Sequence, residues 1–142
     1  MRSSALIGFA GSNTSLKRIK LTDNEIGDGQ LVDIILALSM HPQLEHLELS
    51  CMNIGRSECT ALATLLRNTT KRLQTLNLLG NNIDDEGIEA LTGAISGSKL
   101  QVVDLSYNRI RSITIRGWKT LSTLFGISDS NLERLILYQQ HW

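Results

Sequence analysis

The chain has 142 residues, 42% of them hydrophobic and 20% charged, with Lys plus Arg and Asp plus Glu at 14 each. That length suits one domain with a continuous core, and the charge balance excludes a global pull toward nucleic acid or an anionic membrane surface. No apolar run is long enough to span a bilayer, and two cysteines, Cys51 and Cys59, exclude a disulfide scaffold.

Residues 1–15 read as the back half of a structural repeat. Ala5, Leu6, Ile7 and Phe9 suit the end of a helix, and residues 11–15 form a polar turn. The apolar stretch 5–10 is short and has only Arg2 before it, so it does not make a signal peptide, and a cytoplasmic location is expected. From there the chain repeats one motif, L-x-x-L-x-L-x-x-N-x-I. Its cleanest copy is Leu73, Leu76, Leu78, Asn81 and Ile83. The copies before it are Leu16, Ile19, Leu21, Asn24 and Ile26, then Leu44, Leu47, Leu49, Met52 and Ile54, with Met52 in the asparagine slot. Those after it are Leu100, Val103, Leu105, Asn108 and Ile110, then a weaker Leu132, Leu135, Leu137, Gln140 and Trp142. The motifs begin 28, 29, 27 and 32 residues apart, near the long end of the leucine-rich range.

The spacing has a physical reason. A strand alternates its side chains between two faces, so Leu76 and Leu78 enter a core while Thr75, Asn77 and Leu79 point outward. Asn81 closes the strand, because an amide both donates to and accepts from the backbone of a turn. Met52 can do neither, so its turn is expected to use Asn53, water or a backbone partner. Between the motifs lie amphipathic helices. Leu31, Ile34, Ile35 and Leu38 mark the first, with Pro42 beyond its end. Cys59, Leu62, Ala63 and Leu66 mark the second, with Ser57 as its N-cap. Ile88, Leu91 and Ile95 mark the third, opened by Asp84, Asp85 and Glu86 and stopped by Gly97. Ile115, Trp118, Leu121 and Leu124 mark the fourth, ending near Phe125 and Gly126. The fold class is therefore α/β: a right-handed leucine-rich-repeat solenoid of about five parallel strands, one domain over 1–142 and a segment of a longer array. Packed helices are about 8–10 Å apart and paired strands about 4.8 Å, so the stack bends with strands on the concave side.

The strand motif, the long period, the full helix in each unit and the Gly87-Ile88-Glu89-Ala90-Leu91 helix opening resemble the ribonuclease-inhibitor type of leucine-rich repeat. That family includes ribonuclease inhibitor, the activators of the Ran GTPase and the sensor regions of NOD-like receptors. The resemblance covers about residues 16–142 and implies a horseshoe that binds other macromolecules. The chain lacks the cysteine richness of ribonuclease inhibitor and the acidic tail of the Ran activators, so no single member is matched.

Catalysis has little support. His41, His46 and His141 fall in different units, so no nucleophile–base arrangement and no convergent metal site is expected, nor any cofactor. Cys51 and Cys59 read as a strand-end thiol and a buried helix thiol. The outward strand positions are the candidates for binding. Their rows run Arg18, His46, Thr75, Val102, Arg134; then Lys20, Glu48, Asn77, Asp104, Ile136; then Thr22, Ser50, Leu79, Ser106, Tyr138, with Tyr107 on the rim. The expected partner-binding residues are Arg18, Lys20, Glu48, Asn77, Leu79, Val102, Asp104, Tyr107, Ile136 and Tyr138, because apolar area bordered by charge and carrying tyrosine suits a protein partner. The reading is a protein–protein interaction module that is not an enzyme and engages neither nucleic acid nor membrane. The alternative is a regulator of another enzyme, such as a Ran-type GTPase activator acting through a loop amide: Asn53, Asn82 or Asn108. The last motif supplies a strand with no helix after it, which predicts self-association through residues 132–142.

Overall fold

The computed structural model describes residues 15–22, 26, 29–68, 72–108 and 113–139. Among the described residues, five short strands and four α-helices alternate: β1 (Arg18–Lys20), α1 (Gln30–Leu38), β2 (His46–Glu48), α2 (Arg56–Asn68), β3 (Thr75–Asn77), α3 (Asp85–Ile95), β4 (Val102–Asp104), α4 (Ile115–Ser122) and β5 (Arg134–Ile136). A 3₁₀ turn, Thr123–Gly126, extends α4. The strands form one sheet in sequence order, every neighbouring pair parallel, because a helix carries the chain back between strands.

The core lies between the sheet and the helices. Ile19, Leu47, Leu76, Val103 and Leu135 pair across the five strands in one row. Leu47, Leu76 and Val103 are buried, as are Leu49, Leu78 and Leu105 two residues on. They meet Ile34, Ile35 and Leu38 from α1, Cys59, Leu62 and Leu66 from α2, and Ile88, Leu91 and Ile95 from α3. In the last unit Leu132, Leu135 and Leu137 are only partly buried.

Helix starts follow local chemistry, with corrections. The acidic residues Asp84, Asp85 and Glu86 stand at the start of α3 as expected, and Asp84 is its cap, with Oδ1 accepting from the Gly87 N–H at 3.1 Å. Ser57 is not the cap of α2 but lies inside its first turn. Glu58 instead reaches back to accept from the Gly55 N–H at 3.0 Å, half of a capping box. Gly97 follows Ser96, the C-cap of α3, but adopts no left-handed conformation, so the helix ends without a glycine-specific turn. The fourth helical stripe also differs. Leu121 and Leu124 are buried, but Ile115 and Trp118 are 75% and 44% exposed. Ile113 enters the core in their place. Its Cγ2 would stand 2.5 Å from a Cβ built on Gly117, just as Ile83 Cγ2 would stand 2.9 Å from one on Gly87. Ile113 thus fills the slot of Ile83, and the chain between Asn108 and that slot is three residues longer than between Asn81 and Ile83. Asn24, Ile110, Gln140, His141, Trp142 and the residues before 15 lie outside the described residues.

The asparagines tie one repeat to the turn of the repeat before it. Asn81 Oδ1 accepts from the N–H groups of Met52 and Ile54, both at 2.9 Å, and its Nδ2 donates to the carbonyls of Leu49 at 2.8 Å and Leu78 at 2.9 Å. Asn108 repeats the pattern one unit on, accepting from Ile83 N–H and donating to Leu78 O and Leu105 O. The expectation for Met52 is therefore corrected. Its turn is paired as the others are, by Asn81, while the exposed Asn53 only accepts from Asn82 Nδ2. In the second, third and fourth motifs the residue before the slot is left-handed: Cys51 at φ 57°, Gly80 at 72° and Tyr107 at 55°. Only glycine adopts that conformation without cost.

Candidate functional site

Strand pairing sets the site. The Cα register aligns Arg18, His46, Thr75, Val102 and Arg134 in one row, and Lys20, Glu48, Asn77, Asp104 and Ile136 in a second. Both rows point away from the buried leucines because strand side chains alternate. Arg18, Lys20, Glu48, Asn77, Val102, Asp104 and Ile136 line a shallow concavity of about 450 Å³. Of the candidate residues, Leu79, Tyr107 and Tyr138 stand outside that lining, past the carboxyl ends of the strands. Tyr107 and Tyr138 are exposed, and the Tyr107 N–H donates to Tyr138 O at 2.8 Å. The expected apolar group is thus in two parts, Val102 and Ile136 in the floor and the tyrosines on the rim.

Charge is partly balanced within the face. Lys20 Nζ lies 3.0 Å from Glu48 Oε1, an exposed pair worth about 0–1 kcal/mol. His46 Nδ1 and Thr75 Oγ1 share a 2.8 Å hydrogen bond. Glu48, Asn77 and Asp104 share a feature that sequence reasoning missed: each engages the residue two places on. Ser50 Oγ donates to Glu48 Oε1 at 3.1 Å, Leu79 N–H to Asn77 Oδ1 at 2.9 Å, and Ser106 N–H to Asp104 Oδ1 at 2.8 Å. The three middle residues of the second row are therefore held in place from within their own strand ends. The signal was in the sequence, as Glu, Asn and Asp recurring two residues before the turn.

The other chemistry-bearing residues are apart. His41 is buried after α1, its Nδ1 accepting from the Gln43 N–H at 3.3 Å, and His46 is on the strand face. Burial, with Glu58 and Asp84 adding to it, pushes the Cys59 thiol up to about 12, so it stays protonated and inert. Cys51 is exposed in its turn. Among the described residues no three His, Cys, Asp or Glu side chains converge to hold a metal ion, and no helix is long and apolar enough to cross a membrane. The loop amides Asn82 and Asn108 are engaged by the protein's own turns.

Two leucine-rich-repeat family profiles match residues 12–29 and 72–91, and residues 99–121. Similar proteins include NACHT, LRR and PYD domains-containing protein 13 of Homo sapiens, 31% identical over 93 residues, which are 66% of this chain and 9% of that protein. The mouse (Mus musculus) NACHT, LRR and PYD domains-containing protein 5 is 32% identical over 104 residues, 71% of this chain and again 9% of the relative. The chain thus matches a small fraction of the length of these relatives. Among solved structures, the tropomodulin C-terminal domain of Caenorhabditis elegans superposes with a TM-score of 0.81 at 16% identity, covering 99% of this chain and 85% of that one. Leiomodin-1 actin-binding site 2 gives 0.72 at 20% identity, covering 98% and 78%. At those identities the likeness is one of fold. The recurring strand motif, the parallel sheet with its helices on one side and the matched profiles agree: the chain belongs to the leucine-rich-repeat proteins.

Proposed function

We propose that the chain is a protein-interaction module that holds a protein partner on its concave strand face and performs no chemistry of its own. The observation that carries this is the register. Five consecutive strands present two aligned rows of outward side chains over one concavity, with Val102 and Ile136 in its floor and Arg18 and Arg134 at either end of the first row. Apolar floor bordered by charge is the composition of a protein contact surface, and Tyr107 and Tyr138 beside it are residues favoured in such contacts. The two NACHT, LRR and PYD relatives support placing the chain as a repeat segment of a longer receptor-like protein of the ribonuclease-inhibitor repeat type. The unpaired thiols Cys51 and Cys59 support a reducing compartment such as the cytoplasm.

A photo-crosslinking residue placed at Asn77, on the concave face, and separately at Thr60, exposed on α2, tests the proposal in cells. The expected result is a discrete adduct with a protein from position 77 and none from 60, lost when Val102→Asp and Ile136→Asp are combined. Equal adducts from both positions, or an adduct indifferent to the double substitution, would refute it.

A further inference from the structure

At the opposite ends of the strands, where each helix hands the chain back to the sheet, a second concavity of about 250 Å³ is lined by Glu45, Arg72, Gln74, Lys99, Gln101 and Asn131. Its residues come from four successive repeats and are held in register by backbone bonds. Gln74 N–H donates to Glu45 O, Gln101 N–H to Gln74 O and Glu133 N–H to Gln101 O, each at 2.8 Å. The Asn131 side chain is fixed by donating to Ser98 O at 3.1 Å. The lining is rich in donors. Arg72 and Lys99 have no carboxylate partner among the described residues, while the one carboxylate, Glu45, already lies 3.2 Å from Lys17 Nζ. A chain with equal numbers of acidic and basic residues thus carries a local excess of positive charge beside three primary amides.

We propose that this rim pocket binds an acidic peptide segment of a protein partner. Arg72 and Lys99 take side-chain carboxylates, Arg72 with its planar fork and Lys99 as a point charge. Gln74 and Gln101 both donate and accept, so they suit the peptide backbone between those carboxylates. The concave face is a separate surface at the strands themselves, and its partner is not needed here.

Fluorescence anisotropy of a labelled hexaglutamate peptide on the intact chain tests the pocket, with hexaglutamine and a charge-matched phosphoserine peptide alongside. Hexaglutamate is expected to bind, hexaglutamine not, and added salt to weaken binding because the contacts are exposed. The double variant Arg72→Gln/Lys99→Gln should weaken binding by about tenfold or more, the effect of losing two charge-assisted contacts. Arg18→Gln/Arg134→Gln, on the concave face, should leave it within about twofold. All four residues are exposed, so circular dichroism is expected to show the variants folded. Failure of hexaglutamate to bind, or equal loss from both double variants, would overturn the site. A phosphoserine peptide bound tenfold tighter than hexaglutamate would overturn the carboxylate assignment.

Discussion

Replacing Asn81 by Ala should be among the most damaging single changes in this protein, although it removes no core hydrocarbon. Asn81 is 6% exposed. Its loss strips the acceptor from two backbone N–H groups, Met52 and Ile54, and the side-chain donor from the carbonyls of Leu49 and Leu78. A buried donor left unsatisfied costs about 1–3 kcal/mol, so the two N–H groups alone give about 2–6 kcal/mol. Water entering the space of the lost amide recovers part of that, which places the expected loss at about 3–4 kcal/mol. Asn108 provides an internal comparison, since it is only half-buried and, among the described residues, serves a single N–H, that of Ile83, at 3.2 Å. Asn108→Ala should cost about 1–2 kcal/mol, and Asn53→Ala, on the exposed rim, about 0.5–1 kcal/mol, because alanine tolerates its left-handed φ of 56° less well than asparagine. Urea unfolding of the three variants with a common slope measures this order directly. A loss for Asn81→Ala below about 1 kcal/mol, or no larger than that of Asn108→Ala, would refute the account of the asparagine as a tie between repeats.

Leu78→Ala, at a fully buried position in the central repeat, should destabilise by about 2–5 kcal/mol in the same urea assay. Gly87→Ala should destabilise although alanine favours helices, because its Cβ would come within 2.9 Å of Ile83 Cγ2 and 3.0 Å of Cys59 Sγ; thermal melts with a midpoint at or above that of the parent would contradict the close approach of α2 and α3. The Asp85 carboxylate is held below its ordinary range, first by the Thr114 hydroxyl and then by Thr114 N–H, Arg116 and Gly117. Because the folded value is the lower one, the stability it lends is complete above the unfolded value of about 3.9 and fades as pH falls through the folded value. Urea midpoints between about pH 2.5 and 6 should therefore converge for the parent and Asp85→Asn at the acid end and separate above about pH 4, and a constant offset would show that Asp85 contributes no such linkage.

The strand register was fully legible before any coordinates, because a period of two within a strand and a period near 28 along the chain fix both the face and the partner of each residue. Thus Arg18, His46, Thr75, Val102 and Arg134 fall in one row as expected. What the pattern could not carry was contact between repeats. Asn81 looks like the cap of its own turn, and only stacking brings it against Met52 and Ile54. Ile113 was missed because Ile110 fits the motif spacing while a three-residue lengthening moves the core slot along. Ile115 and Trp118 keep helical spacing yet stay exposed, since periodicity marks a stripe but not what lies opposite it. The rim pocket of Arg72 and Lys99 had no sequence signal, for isolated polar loop residues become a cluster only when loops stack.

The asparagine ties make the molecule a row of coupled units whose cooperativity is only as strong as each link. Asn81 joins the third unit to the second and Asn108 joins the fourth to the third, but Met52 offers no equivalent bond from the second to the first. Among the described residues, the coupling there comes from three paired residues of β1 and β2, the Lys17–Glu45 and Lys20–Glu48 ion pairs, and the packing of α1 on α2. In a nearest-neighbour description, opening begins at the weakest junction. Hydrogen exchange at Leu21, whose N–H is held by Glu48 O at 2.8 Å, should therefore outpace exchange at Leu49 and Leu78, whose equivalent bonds lie across tied junctions. Methionine at that slot would make the junction between the first and second units a seam that parts while units two to four stay closed.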